Sequence, residues 1–103
     1  MSTWFELNKL SVKESLAPLL STKAAVFIFG SSLKSLTPND IDILVVYGVD
    51  DYEITKPVVD QVRILKLDGK GLHITMLNTA EFVAEASVFI NTIIDDLVSV
   101  RDS

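Results

Sequence analysis

The sequence predicts an α/β fold of the α+β kind: a small mixed β-sheet packed with helices, with an N-terminal helix and a long C-terminal helix. Three observations carry this expectation. Residues 25–29 (AVFIF) and 40–47 (DIDILVVY) are strand-length apolar runs rich in strand formers. Residues 72–77 (LHITML) read as a third strand. Segments with apolar residues three and four positions apart flank and separate these runs, so the order is helix, strand, strand, helix, strand, helix. A chain of 103 residues has enough core for one domain, expected to span 1–103.

The elements follow in order. A helix or helix pair is expected over residues 3–20, with capping-box spacing at Thr3 and Glu6 and again at Ser11 and Glu14. Trp4, Leu7 and Leu10 form one apolar stripe, and Leu16, Leu19 and Leu20 another. Pro18 either kinks this helix or sits in the first turn of a short second one. The AVFIF run stops at Gly30 and reads as a buried central strand. Residues 30–39 are small and polar: a loop, with room for one helical turn from Ser32 to Leu36. The next run begins with alternation and becomes continuously apolar, as expected of a strand that emerges from the core at its beginning.

Gly48, Asp50 and Asp51 mark a turn, and Thr55 is placed to cap a helix with Pro57 in its first turn. Val58, Val62 and Leu65 then share one face, while Arg63 and Lys66 read as its solvated side. Asp68-Gly69 is a turn signal. Asn78 and Glu81 form another capping box, after which Phe82, Ala86, Phe89, Ile93, Leu97 and Val100 recur at helical spacing to about residue 100. Trp4, Phe27 and Phe29 read as core or interface residues, and Asp95 and Asp96 as solvated helix charges.

Composition narrows the function classes. Hydrophobic residues make up 49% and charged residues 22%, without low-complexity tracts or repeats, so disorder is not expected. A net charge of −5 argues against broad nucleic-acid binding, which needs a basic surface. A free nucleotide remains compatible, because its phosphates travel on magnesium and an acidic site then becomes an asset. Cysteine is absent, which excludes disulfides and thiolate metal sites. The first residues lack the basic start and apolar stretch of a signal peptide, and no apolar run approaches a membrane span. A cytoplasmic protein without membrane contact is expected.

The chemistry concentrates in residues 27–46, FIFGSSLKSLTPNDIDILVV. Gly30 ends a strand and has no side chain, so a phosphate can approach the backbone closely. Ser31 and Ser32 add hydroxyls, and their amides suit a helix start where anions are favoured. Asp40 and Asp42 alternate along a strand, so both carboxylates point to one face, while Ile41 and Ile43 anchor the other. Two oxygen ligands side by side suit magnesium, which keeps waters and substrate phosphates as its remaining ligands.

This stretch resembles the signature of the nucleotidyltransferase superfamily, of the minimal type that folds like the catalytic core of DNA polymerase beta. The signature is Gly-Ser at a strand end, a short loop, then Asp-x-Asp opening the next strand. More weakly, the resemblance extends over nearly the whole chain. It implies a nucleotidyltransferase fold, a nucleoside triphosphate held at Gly30 and Ser31, and magnesium held by Asp40 and Asp42. The family uses two metal ions and a third carboxylate on the later strand; one ion is the alternative here. The reaction it implies is in-line attack of a hydroxyl on the α-phosphate, with transfer of a nucleotide such as AMP.

Two positions depart from the family. His73 aligns with the missing third carboxylate, and strand parity puts it with Thr75 on one face, so it can point into the site. It stands either as a working base or ligand, or as a hydrogen-bonded histidine in a site that has lost its chemistry. Small, basic and glycine residues often follow Gly-Ser in the family; here Leu33-Lys34-Ser35 follows, and Lys34 retains the basic role toward phosphate. The resemblance also implies that another chain holds the acceptor, either a small helical protein of the HEPN type or a second copy. The alternative is a catalytically degenerate, antitoxin-like binding module.

Overall fold

The computed structural model describes residues 2–85 and 96–103. Their elements are α1 (Trp4–Ser15), α2 (Ala17–Leu20), β1 (Ala25–Phe29), a short 3-10 turn (Gly30–Leu33), β2 (Asp40–Tyr47), α3 (Tyr52–Arg63), β3 (Lys66–Leu67), β4 (Lys70–Asn78), α4 (Thr79–Glu85) and β5 (Val98–Ser99). The strands form one mixed sheet in the order β3-β4-β2-β1-β5. β1 runs antiparallel to β2, and β4 runs parallel to β2 after the α3 crossover.

β2 lies at the centre because both its faces find apolar partners. Ile41, Ile43 and Val45 join the larger core with Val26 and Ile28 of β1, and the first three helices cover this helix-covered face through Trp4, Val12, Leu16, Leu19, Val59 and Val62. On the opposite face Leu44 and Val46 pack with Phe29, Phe27, Leu77 and Phe82. The Phe27 and Phe82 rings stack at 6.5 Å and hold α4 over this half of the sheet.

The three expected strands form, and two short ones extend the sheet. β3 and β4 are joined by the Asp68-Gly69 turn, where both residues take positive φ (55° and 74°), as a type I′ hairpin turn requires. The capping box at Asn78 and Glu81 forms reciprocally: each side chain accepts the other residue's backbone N–H, at 2.7 and 2.9 Å. Thr3 caps α1 by accepting the Glu6 N–H, and Pro18 sits in the first turn of α2.

Several expectations are corrected. The C-terminal segment is not helical to residue 100: Val98 and Ser99 pair with Ile28 and Phe27 as a strand, and the Val100 N–H donates to Val26. The apolar periodicity at Leu97 and Val100 therefore serves sheet packing rather than a helix face; the expectations at residues 86–95 lie outside the described residues. Ser11 starts no helix, because α1 continues through it and bends instead at non-helical Asn8. Leu7 and Leu10 point outward, 66% and 70% exposed, and Trp4, Phe5 and Val12 are the buried residues of α1. α3 begins at Tyr52 after Asp51, so Thr55 is a buried helical residue and Pro57 lies inside the helix. Its buried face is Thr55, Val59 and Val62, with Val58 only partly covered and Leu65 exposed. The single helical turn of the loop spans Gly30–Leu33, earlier than Ser32 to Leu36. Lys66 belongs to β3, not to a helix.

Candidate functional site

β2 opens at Asp40, and strand parity puts Asp40 and Asp42 on the face opposite the three N-terminal helices. Asp40 is exposed and Asp42 half-buried, whereas Leu44 and Val46 further along the same face are buried. The carboxylates therefore occupy the uncovered end of a face whose other end is core.

Gly30 lies against this pair. It follows Phe29, which is opposite Asp42 in the β1–β2 ladder. Its φ of +81° lies in the left-handed region, and a Cβ added there would sit 2.5 Å from Asp42 Oδ2. Both the turn and the carboxylate need glycine at this position: any side chain would occupy the space between backbone and Asp42. The 3-10 turn closes with Lys34 and Ser35 N–H groups donating to the Ser31 carbonyl, at 3.0 and 2.8 Å. The Trp4 N–H donates to Ser35 at 2.8 Å, so the N-terminus of α1 fixes the far side of this loop.

The two serines differ. Ser31 is exposed at the turn, while Ser32 is fully buried and its hydroxyl donates to the Phe29 carbonyl at 3.4 Å. The Ser32 side chain thus braces the turn, leaving Ser31 and the backbone to face outward. Lys34 is exposed and pairs with Asp96 at 3.2 Å. A phosphate at this loop would compete with Asp96 for that ammonium, a surface pair contributing under about 1 kcal/mol.

His73 stands beside Asp42 in the parallel β2–β4 ladder, and its Nδ1 lies 3.3 Å from Asp42 Oδ1. This is a hydrogen bond when Nδ1 carries the proton. The imidazole is 72% exposed, so its other nitrogen faces solvent over the carboxylate end of the sheet. The site thus brings Gly30, Ser31, Asp40, Asp42 and His73 to one end of one face. Asp40 has a further neighbour that sequence reading missed: Gly71 pairs with it across β4, and a Cβ there would stand 3.8 Å from Asp40 Oδ1. The one available signal was a glycine just before the LHITML run, where strands rarely keep one without a reason.

The donor set fits one hard cation. Asp40 and Asp42 offer oxygens from one face of one strand, and His73 is engaged with Asp42. Among the described residues no group of three or more His, Cys, Asp or Glu side chains is gathered for a metal ion. A magnesium ion on these two carboxylates would complete its shell with phosphate and water oxygens. Also among the described residues, no helix is long and apolar enough to cross a membrane.

Comparison with protein-family models, with curated proteins and with solved structures gives no match for this chain.

Proposed function

We propose that the Asp40–Asp42 end of the sheet binds a nucleoside triphosphate together with one magnesium ion, as a minimal nucleotidyltransferase-like protein. One observation carries this reading. The Gly30 turn abuts the Asp42 carboxylate so closely that a Cβ would fall 2.5 Å from it, which leaves a backbone cradle directly beside two cation ligands. The resemblance of residues 27–46 to the nucleotidyltransferase signature supports the same reading. Asp40 and Asp42 would hold magnesium, which supplies charge neutralisation at the phosphates. Gly30 and Ser31 would receive phosphate oxygens from the open side, and Asp42 would orient His73. Transfer would form a bond from an acceptor hydroxyl oxygen to the α-phosphorus and release pyrophosphate. His73 would take the hydroxyl proton, and the acceptor is proposed to be presented by a small helical partner or a second copy.

A second reading rests on His73. An exposed imidazole leaning on Asp42, where the resembling family has a third carboxylate, suits a binding module that keeps the nucleotide or partner and performs no transfer. Titration calorimetry with each of the four triphosphates, with and without magnesium, tests the shared premise. Magnesium-dependent binding lost in Asp42→Asn is expected, and equal binding by wild type and variant would overturn it. Position 73 separates the readings. If His73 is a base, His73→Ala lowers transfer about a hundredfold or more and His73→Asp does not restore it. If the site has lost its third carboxylate, His73→Asp tightens magnesium binding, because magnesium prefers oxygen to nitrogen.

A further inference from the structure

The ladder places a lysine on the site face that the nucleotide reading does not use. Lys66 of β3 pairs with Gly71 of β4, and Gly71 pairs with Asp40 of β2. Residues opposite one another on adjacent strands share a face. The neighbouring Leu67 is buried in the helix-covered core, so Lys66 points the other way, toward the side of Asp40, Asp42 and His73. Two strand spacings separate Lys66 from Asp40, roughly 9.5 Å between backbones. The four-carbon stem of lysine spans much of that gap.

Among the described residues the ladder puts no side chain between them, because the intervening residue is Gly71. Its backbone does not require glycine: its φ is not in the left-handed region, and a Cβ would meet only Asp40 Oδ1, at an ordinary 3.8 Å. The consequence of glycine here is an open path from the ammonium to Asp40. Lys66 is exposed, and its ammonium makes no ion pair or hydrogen bond among the described residues. Lys34, on the opposite flank, is already paired with Asp96. An anion approaching two aspartates meets repulsion unless a cation accompanies it, and Lys66 is a free cation on their row.

We propose that Lys66 holds a phosphate group across Gly71, beside whatever Asp40 binds; the assignment rests on the nucleotide reading of the site. Phosphate is the shared chemistry of two sources, the nucleotide's own chain and an acceptor entering on the flank away from Gly30. Two calorimetric titrations distinguish them: magnesium-ATP into the protein, and inorganic phosphate into the protein saturated with magnesium-ATP. The variants are Lys66→Gln, Lys66→Arg and Gly71→Val, the last keeping the charge and closing the path. Lys66→Gln and Gly71→Val are each expected to weaken one of the two titrations about tenfold, with Lys66→Arg near wild type. Loss in the ATP titration assigns the nucleotide's phosphate. Loss in the phosphate titration alone assigns the acceptor's. Unchanged affinity of Lys66→Gln in both, with normal wild-type binding, overturns the role of Lys66 and leaves the nucleotide reading standing. Absence of wild-type binding in both overturns the two together.

Discussion

The two faces of β2 obey different rules. Toward the three N-terminal helices, Ile41, Ile43, Val45 and Tyr47 are all buried. Toward the other side the strand starts with Asp40 and Asp42 and only then becomes Leu44 and Val46. The first face is uniform because helices cover its whole length. The second changes from carboxylates to apolar residues just past the rows shared with Phe29, Gly71 and His73. Stability alone does not ask for two carboxylates at the start of a central strand, where like charges on one face repel. The contrast teaches that one strand can serve folding with one set of alternating positions and, under the proposed function, ligand chemistry with the other.

The largest expected effect tests the uniform face. Ile43→Ala empties a fully buried position at the centre of the sheet and should cost about 3–4 kcal/mol in urea unfolding. An unchanged midpoint would show that the helix-covered face is not the principal core. Gly30→Ala comes next, because it strains a left-handed backbone and pushes a methyl onto Asp42; about 2 kcal/mol is expected, together with loss of magnesium-ATP binding. Retained stability and retained binding would break the link between turn and carboxylate.

Asp42→Asn should move stability by no more than about 0.5 kcal/mol, since the residue is only half-buried and its His73 contact is exposed. If it proved as destabilising as Ile43→Ala, the division of labour along β2 would be wrong. The smallest effect lies at the far end of the strand. Burial raises the Tyr47 hydroxyl above its ordinary value of 10.0, helped by the charge of Glu81 and by Tyr52. Above pH 10 the unfolded chain therefore releases a proton that the fold still holds, so stability falls as pH rises through that region. Tyr47→Phe should remove this part of the alkaline slope while leaving neutral stability nearly unchanged, as denaturation on both sides of pH 10 would reveal.

Much of this arrangement was legible in the sequence, and the rest failed for identifiable reasons. AVFIF, DIDILVVY and LHITML declare strands because each is long enough for its apolar run to stand out, and the parity of Asp40 and Asp42 follows once the strand is granted. Asn78 with Glu81 announced a helix start that forms through the expected hydrogen bonds. β3 and β5 were invisible because two residues carry no period; pairing with a neighbour decides them, and pairing is not local information. Lys66 was misplaced on a helix for that reason, and its alignment with Asp40 through Gly71 went with it. Leu7 and Leu10 were misjudged because the first turns carry two competing apolar stripes, and the one that packs is Phe5 with Val12, seven residues apart, beside Trp4.

The mixed direction of the sheet has a consequence in time. Phe29, which precedes the Gly30 turn, and Asp42 lie on neighbouring antiparallel strands, so they meet across a short stretch of chain. Asp42 and His73 meet only after a crossover, 31 residues apart. Closing the longer loop costs about 0.8 kcal/mol more by chain-length scaling alone, and α3 must dock before it is recovered. The turn and its carboxylates should therefore assemble as an early unit and acquire the histidine flank late. Pulse-labelled amides in β4 protected before those of β1 and β2 would contradict that order. In a late-closing site of this kind, a ligand that bridges Asp42 and the β4 flank stabilises the last contact to form. It would slow unfolding much more than it speeds folding.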